Sequence, residues 1–80
     1  MATDLKADQT LDFRGLLCPV PIMKIAKAIK TVQVGQVVEM LADDPGAPAD
    51  MQAWTRQTGH ELLDSQAEGG VFRFLIRRRK

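Results

Sequence analysis

Eighty residues with 45% hydrophobic content and 11 Lys and Arg against 10 Asp and Glu leave room for one small folded domain and no second core. The charged and apolar fractions are those of a globular chain, which excludes wholesale disorder. Cys18 is the sole cysteine and His60 the sole histidine, so neither an internal disulfide nor a Cys/His zinc set can form, and no metal or cofactor is expected.

Met1 to Asp8 is too polar for a secretory apolar region, and no apolar run approaches the roughly 18 residues of a membrane span. A cytoplasmic location away from membranes follows, with the lone thiol kept reduced. Residues 1–9 are expected to form a flexible N-terminal segment, 10–77 a single domain and 78–80 a basic tail.

The first element is a strand over Thr10–Arg14, where Leu11 and Phe13 alternate with Asp12 and Arg14 until Gly15 breaks the run. From Val20 to Lys30 the apolar residues Ile22, Ile25, Ala26 and Ile29 recur at i, i+3, i+4 and i+7, with Lys24, Lys27 and Lys30 on the remaining surface, which is the pattern of an amphipathic helix. Val37–Ala42 reads as a second strand. Asp43-Asp44-Pro45-Gly46 combines breakers with helix-start residues. A second helix then runs roughly from Ala47 to Thr58, closed by Gly59, with Pro48 either in its first turn or pushing Ala47 out of it. His60–Ala67 and Val71–Arg77 flank Glu68-Gly69-Gly70 as a hairpin. The order is βαβαββ. Each helix has one apolar stripe, so the expected fold is an α/β (α+β) two-layer sandwich, with both helices on one face of a four-stranded mixed sheet.

Cys18-Pro19-Val20-Pro21 lies between the first strand and the first helix. Proline is favoured at the first helical position, so Pro19 there makes Cys18 the N-cap and sets its sulfur at the positive end of the helix dipole. Pro19 and Pro21 lack N–H groups, which leaves Val20 as the best-placed donor to a thiolate. These features predict a lowered thiol pKa, with Lys24 as a further contributor or simply part of a solvated face. Such a sulfur suits thiol exchange or sulfur transfer better than hydrolysis. Pro21 and Ile22 stand where a resolving cysteine would be, which excludes a thioredoxin-type pair. His60 reads as a solvated or capping histidine, and Trp54 as core.

Leu11 to Pro21, with Lys24, Lys27 and Ala28 after it, resembles the signature of the TusA/SirA-like sulfurtransferase family of small sulfur carriers, whose mark is Cys-Pro-x-Pro. Asp43-Asp44-Pro45-Gly46, Trp54 and Thr58 to Leu62 extend the resemblance to about Leu11 to Arg77. It implies the same βαβαββ sandwich and a cysteine, Cys18, that carries sulfane sulfur as a persulfide. It also implies that Pro19 and Pro21 shape the loop, while Arg14, Lys24 and Asp43 surround the sulfur or meet partners.

The implied partners are a donor of the cysteine desulfurase or rhodanese type and an acceptor protein of DsrE-like type, met by a monomer in transient complexes. The implied uses are tRNA thiolation, molybdenum cofactor formation and sulfur oxidation. Members serving tRNA thiolation tend to have an acidic residue between the two prolines. Val20 stands there instead, which weighs toward sulfur oxidation. The last four residues, Arg77 to Lys80, are all basic and leave seven Lys and Arg against ten Asp and Glu in the rest of the chain. Without an aromatic platform this end fits docking to an acidic protein better than direct nucleic-acid binding. The opposing class is a non-catalytic regulatory or RNA/protein-binding module in which the thiol is incidental.

Overall fold

A computed structural model describes residues 7–80, and along them the chain forms β1 (Gln9–Asp12), α1 (Val20–Ala28), a 3-10 turn (Ile29–Thr31), β2 (Val37–Ala42), α2 (Ala47–Thr58), β3 (Glu61–Glu68) and β4 (Val71–Arg77). The strands make one mixed sheet in the order β1-β2-β4-β3. β1 and β2 are parallel, as a strand–helix–strand crossover requires, while β4 runs antiparallel to both β2 and β3. The two helices share one apolar cluster with the sheet. Ile25 of α1 and Ile29 of the turn after it meet Met51 and Trp54 of α2 over Val38, Met40, Phe74 and Ile76. Both helices therefore cover the same face, and each fully buried Ile, Met or Phe contributes about 1.5–3 kcal/mol through lost water contact.

The apolar period of the first helix places Ile25 and Ile29 in the core, with Ile22 and Ala26 packed at its margin. Its last turn tightens into 3-10 geometry. There the Thr31 hydroxyl donates to the Ala28 carbonyl at 2.6 Å and satisfies a group the helix end leaves open. α2 keeps the bounds Ala47–Thr58, with Pro48 inside its first turn. Gly59 ends it in the left-handed region at φ 83°, where a side chain would also meet Lys80 at 3.0 Å. A register shift between Leu62 and Asp64 interrupts the pairing of β3 with β4.

Two expected boundaries move. Residues 1–6 of the N-terminal segment lie outside the described residues, but Gln9 already belongs to the sheet and Asp8 is tied to it. The Asp8 N–H donates to the Val37 carbonyl at 2.7 Å, and the Val37 N–H donates back to the Asp8 carboxylate at 2.8 Å. At the other end, Arg78 and Arg79 are docked and not a free tail. Arg78 exchanges main-chain bonds with Gly35 and Gln36, and its guanidinium donates to the Val32 carbonyl at 2.6 Å. The Arg79 N–H donates to His60 Nδ1 at 3.1 Å, and its side chain pairs with Glu61 at 3.2 Å. Main-chain pairing beyond β4, which periodicity does not report, draws the basic end onto the domain. Among the described residues no helix is long and apolar enough to cross a membrane.

Candidate functional site

Parallel pairing sets the C-terminal ends of β1 and β2 side by side, so the loops that follow them share one edge of the sheet. The Phe13 N–H donates to the Leu41 carbonyl at 2.8 Å, and the Gly15 N–H donates to the Asp43 carboxylate at 3.0 Å. Asp43 thereby ties the Cys18 loop to the loop that starts α2. Gly15 sits at φ 86°, a turn conformation open to glycine. Leu16 and the chain beyond it then climb to the head of α1.

The cap lies one residue later than expected. Pro19, not Cys18, is the N-cap of α1, Val20 is the first helical residue, and the Cys18–Pro19 peptide is cis. The Val20 N–H is not turned to the sulfur, because it closes a turn onto the Leu17 carbonyl at 2.9 Å. The first helical bond runs from the Met23 N–H to the Pro19 carbonyl at 3.2 Å. Cys18 is thus outside the cap, and it is exposed.

The sulfur has a different partner. Cys18 Sγ donates to Asp50 Oδ2 at 3.0 Å, across 32 residues of sequence. Asp50 stands in the first turn of α2, and Asp44 lies in the loop before it. Cys18 Sγ and carboxylate oxygens of Asp44 and Asp50 all lie within 4.8 Å of one another, the sole such convergence of ligand-type groups among the described residues. The Asp50 hydrogen bond pushes the Cys18 thiol above its ordinary range, followed by desolvation and by the negative charges of Asp50 and Asp44. This reverses the lowering expected from the helix dipole: two nearby carboxylates outweigh a dipole the sulfur does not cap. Beside the thiol a hollow of about 240 Å³ opens between the helices, walled by Pro19 and Ile22 on one side and Asp50, Ala53, Trp54 and Gln57 on the other.

The remaining sequence candidates divide. Asp43 is at the base of the Cys18 loop. Arg14 spends its guanidinium on Asp12, with bonds of 2.8 and 2.7 Å, and that pair holds the Asp12 carboxyl down at about 2. Lys24 faces the other flank of α1, in a hollow with Leu11, Phe13 and Lys27. His60 is outside the hollow at Cys18; its ring lies 5.4 Å from that of Trp54, and its Nδ1 accepts from Arg79. The residue missed in the sequence is Asp50. Its one signal was an acidic side chain in the first turn of a helix, which reads equally as dipole compensation.

A family model described as sulfurtransferase TusA matches residues 9–78. The chain belongs to the TusA sulfurtransferase family. It is 46% identical over 71 residues to the sulfur carrier protein TusA of Allochromatium vinosum, covering 89% of this chain and 93% of that protein. With YrkF of Bacillus subtilis it shares 45% over 74 residues, but it spans only 40% of that longer protein. A crystal structure of a SirA-like protein from Desulfitobacterium hafniense superposes with a TM-score of 0.77 at 24% identity, over 90% of this chain and 99% of the other, and bears out the fold. The Cys-Pro-x-Pro segment and Trp54 wall one hollow, and Asp44 of the Asp43-Asp44-Pro45-Gly46 loop stands beside the thiol.

Proposed function

We propose that Cys18 carries sulfane sulfur as a persulfide between a donor protein and an acceptor protein. The observation that supports this most is an exposed, unpaired thiol at the head of α1, within the Cys-Pro-x-Pro segment of a TusA-family chain. In loading, the thiol proton departs and the Cys18 thiolate attacks the terminal sulfur of a donor persulfide. A bond forms between Cys18 Sγ and that sulfur, the donor S–S bond breaks, and the donor leaves as a thiolate. In unloading, an acceptor thiolate attacks the terminal sulfur of Cys18–S–SH, and the Cys18 thiolate leaves. The sulfane sulfur keeps its oxidation level throughout, so no external oxidant or reductant is needed.

Asp50 and Asp44 give the carrier a protonated resting thiol, which guards it against stray oxidation. Asp43 acts as a positioning residue through Gly15. Pro19, Val20 and Pro21 form the rigid head of the helix beside the sulfur. Lys24, on the other flank of α1, and Arg14, paired with Asp12, serve partner contact. The donor is a desulfurase or rhodanese-type protein and the acceptor a DsrE-like protein, met transiently in the cytoplasm, and Val20 weighs toward service in sulfur oxidation.

Intact-mass measurement after incubation with a cysteine desulfurase and cysteine tests this. The native chain is expected to gain one sulfur atom, removable by a thiol, and Cys18→Ser to gain none. No gain from either an enzymatic or a small sulfane donor overturns the carrier and leaves a non-catalytic binding module.

A further inference from the structure

Trp54 forms one wall of the hollow at Cys18. The same indole walls a second hollow of about 280 Å³ farther along α1, lined by Ala26, Ile29 and Lys30 on one side and by the Thr58–His60 end of α2 on the other. The two hollows lie on either side of Trp54 along the groove between the helices. Its ends differ in charge. Asp44 and Asp50 stand at the thiol end, while Lys30, Arg78 and Lys80 ring the far end. Among the described residues neither Lys30 nor Lys80 has an ion pair. The Arg78 guanidinium donates to oxygens of Val32 and Lys80. His60 feels this field: burial first, then Arg78 and Lys80, push its pKa below the ordinary value.

We propose that this groove seats an extended segment of the sulfur partner, with the partner's reactive cysteine at Cys18 and acidic side chains at Lys30, Arg78 and Lys80. The inference rests on the carrier role of Cys18. Val20 to Ala28 rise about 12 Å as an α-helix, and the 3-10 turn as far as Lys30 adds about 4 Å. An extended peptide covers that distance in about five or six residues, which fixes the spacing between the cysteine and the acidic group. Charge complementarity selects the occupant. A nucleic-acid strand carries a phosphate on every nucleotide and would set negative charge against Asp44 and Asp50. Trp54, only 8% exposed, offers little ring for base stacking. A peptide that is neutral near its cysteine and acidic farther on meets both ends favourably.

The test uses synthetic peptides whose single cysteine is held as a 2-thiopyridyl mixed disulfide. The Cys18 thiolate attacks the peptide sulfur, a Cys18–peptide disulfide forms, the original S–S bond breaks, and thiopyridone leaves and is read by absorbance. Two peptides place a pair of glutamates about five residues before or after the cysteine, a third replaces them with lysines, and a fourth sets the glutamates beside the cysteine. One of the two spaced glutamate peptides is expected to react about three- to tenfold faster than the lysine peptide at low salt. High salt is expected to abolish that preference, and the Lys30→Glu/Lys80→Glu double variant to reverse it. Dipyridyl disulfide, too small to reach the far end, is expected to react equally with the native chain and the variant, and a circular dichroism spectrum and Tm matching those of the native chain show the variant folded.

Equal rates for all peptides overturn the proposal, as does a preference for glutamates beside the cysteine. Protection of Cys18 by a single-stranded RNA oligomer at concentrations where the spaced glutamate peptide protects it less would instead assign the groove to nucleic acid. Sulfur loading without any charge preference sinks the groove alone. Failure of loading sinks the carrier role, and the peptide rates still decide the groove.

Discussion

Asp50→Asn separates the two electrostatic accounts of Cys18. The amide keeps the shape and an oxygen that accepts from the thiol at the same place, 3.0 Å away, while removing the charge. Under the water-like screening proper to an exposed site, unit charges at that separation interact by about a factor of ten in an equilibrium constant. The thiolate gained is partly offset, because nucleophilicity falls as a thiol becomes more acidic, with a slope of about 0.4–0.5. A net acceleration of about threefold at neutral pH follows. Alkylation of Cys18 by iodoacetamide, a neutral electrophile, followed from neutral to alkaline pH, measures it. The variant is expected to react faster at neutral pH, with the midpoint of its pH profile moved toward lower pH. An unchanged rate would mean that the Asp50 contact does not govern the thiol. A slower rate would make Asp50 a base that assists deprotonation.

Other perturbations probe the surroundings. The folded pKa of His60 lies below the ordinary 6.5, so its contribution to stability is present above that value and is lost as pH falls from there through the lowered folded value. Tm is expected to drop over that window, less steeply in His60→Gln, and identical slopes would show that the Arg78 and Lys80 field does not reach the ring. Asp43→Ala removes the acceptor of the Gly15 N–H, costs about 0.5–1.5 kcal/mol and should speed hydrogen exchange at that amide. Unaltered exchange would end its positioning role. Met51→Ala, at a fully buried site under α2, is expected to cost about 2–5 kcal/mol in urea unfolding, and a loss below about 1 kcal/mol would contradict the packing between helix and sheet.

Much of the architecture was legible because its signals are local. The recurrence of Ile22, Ile25, Ala26 and Ile29 at three- and four-residue spacing along one stripe, the spacing of Ala47, Met51 and Trp54 up to Gly59, and the Gly69-Gly70 turn each report on a few neighbours, and all three elements formed. Insertion of β4 between β2 and β3 was not legible, since it depends on which distant strands pair. The site followed the same division. Cys18 and its loop were found from adjacent residues, whereas the direction of its acidity depends on Asp50 and Asp44, brought there only by the parallel β1–β2 pair. Pro19 illustrates the limit of local rules: a proline fits the first helical position well, yet here it occupies the cap itself.

The edges of the sheet bear on how such a chain meets others. β1 is only four residues long, and the opposite edge, β3, is broken in register between Leu62 and Asp64 and carries Glu61, Asp64 and Glu68. A short strand at one margin and a kinked, acidic one at the other make poor templates for another chain's strand. Encounters are thereby steered to the helical layer, where the groove and thiol lie, and a crowded surrounding of β-rich proteins has little purchase on the sheet.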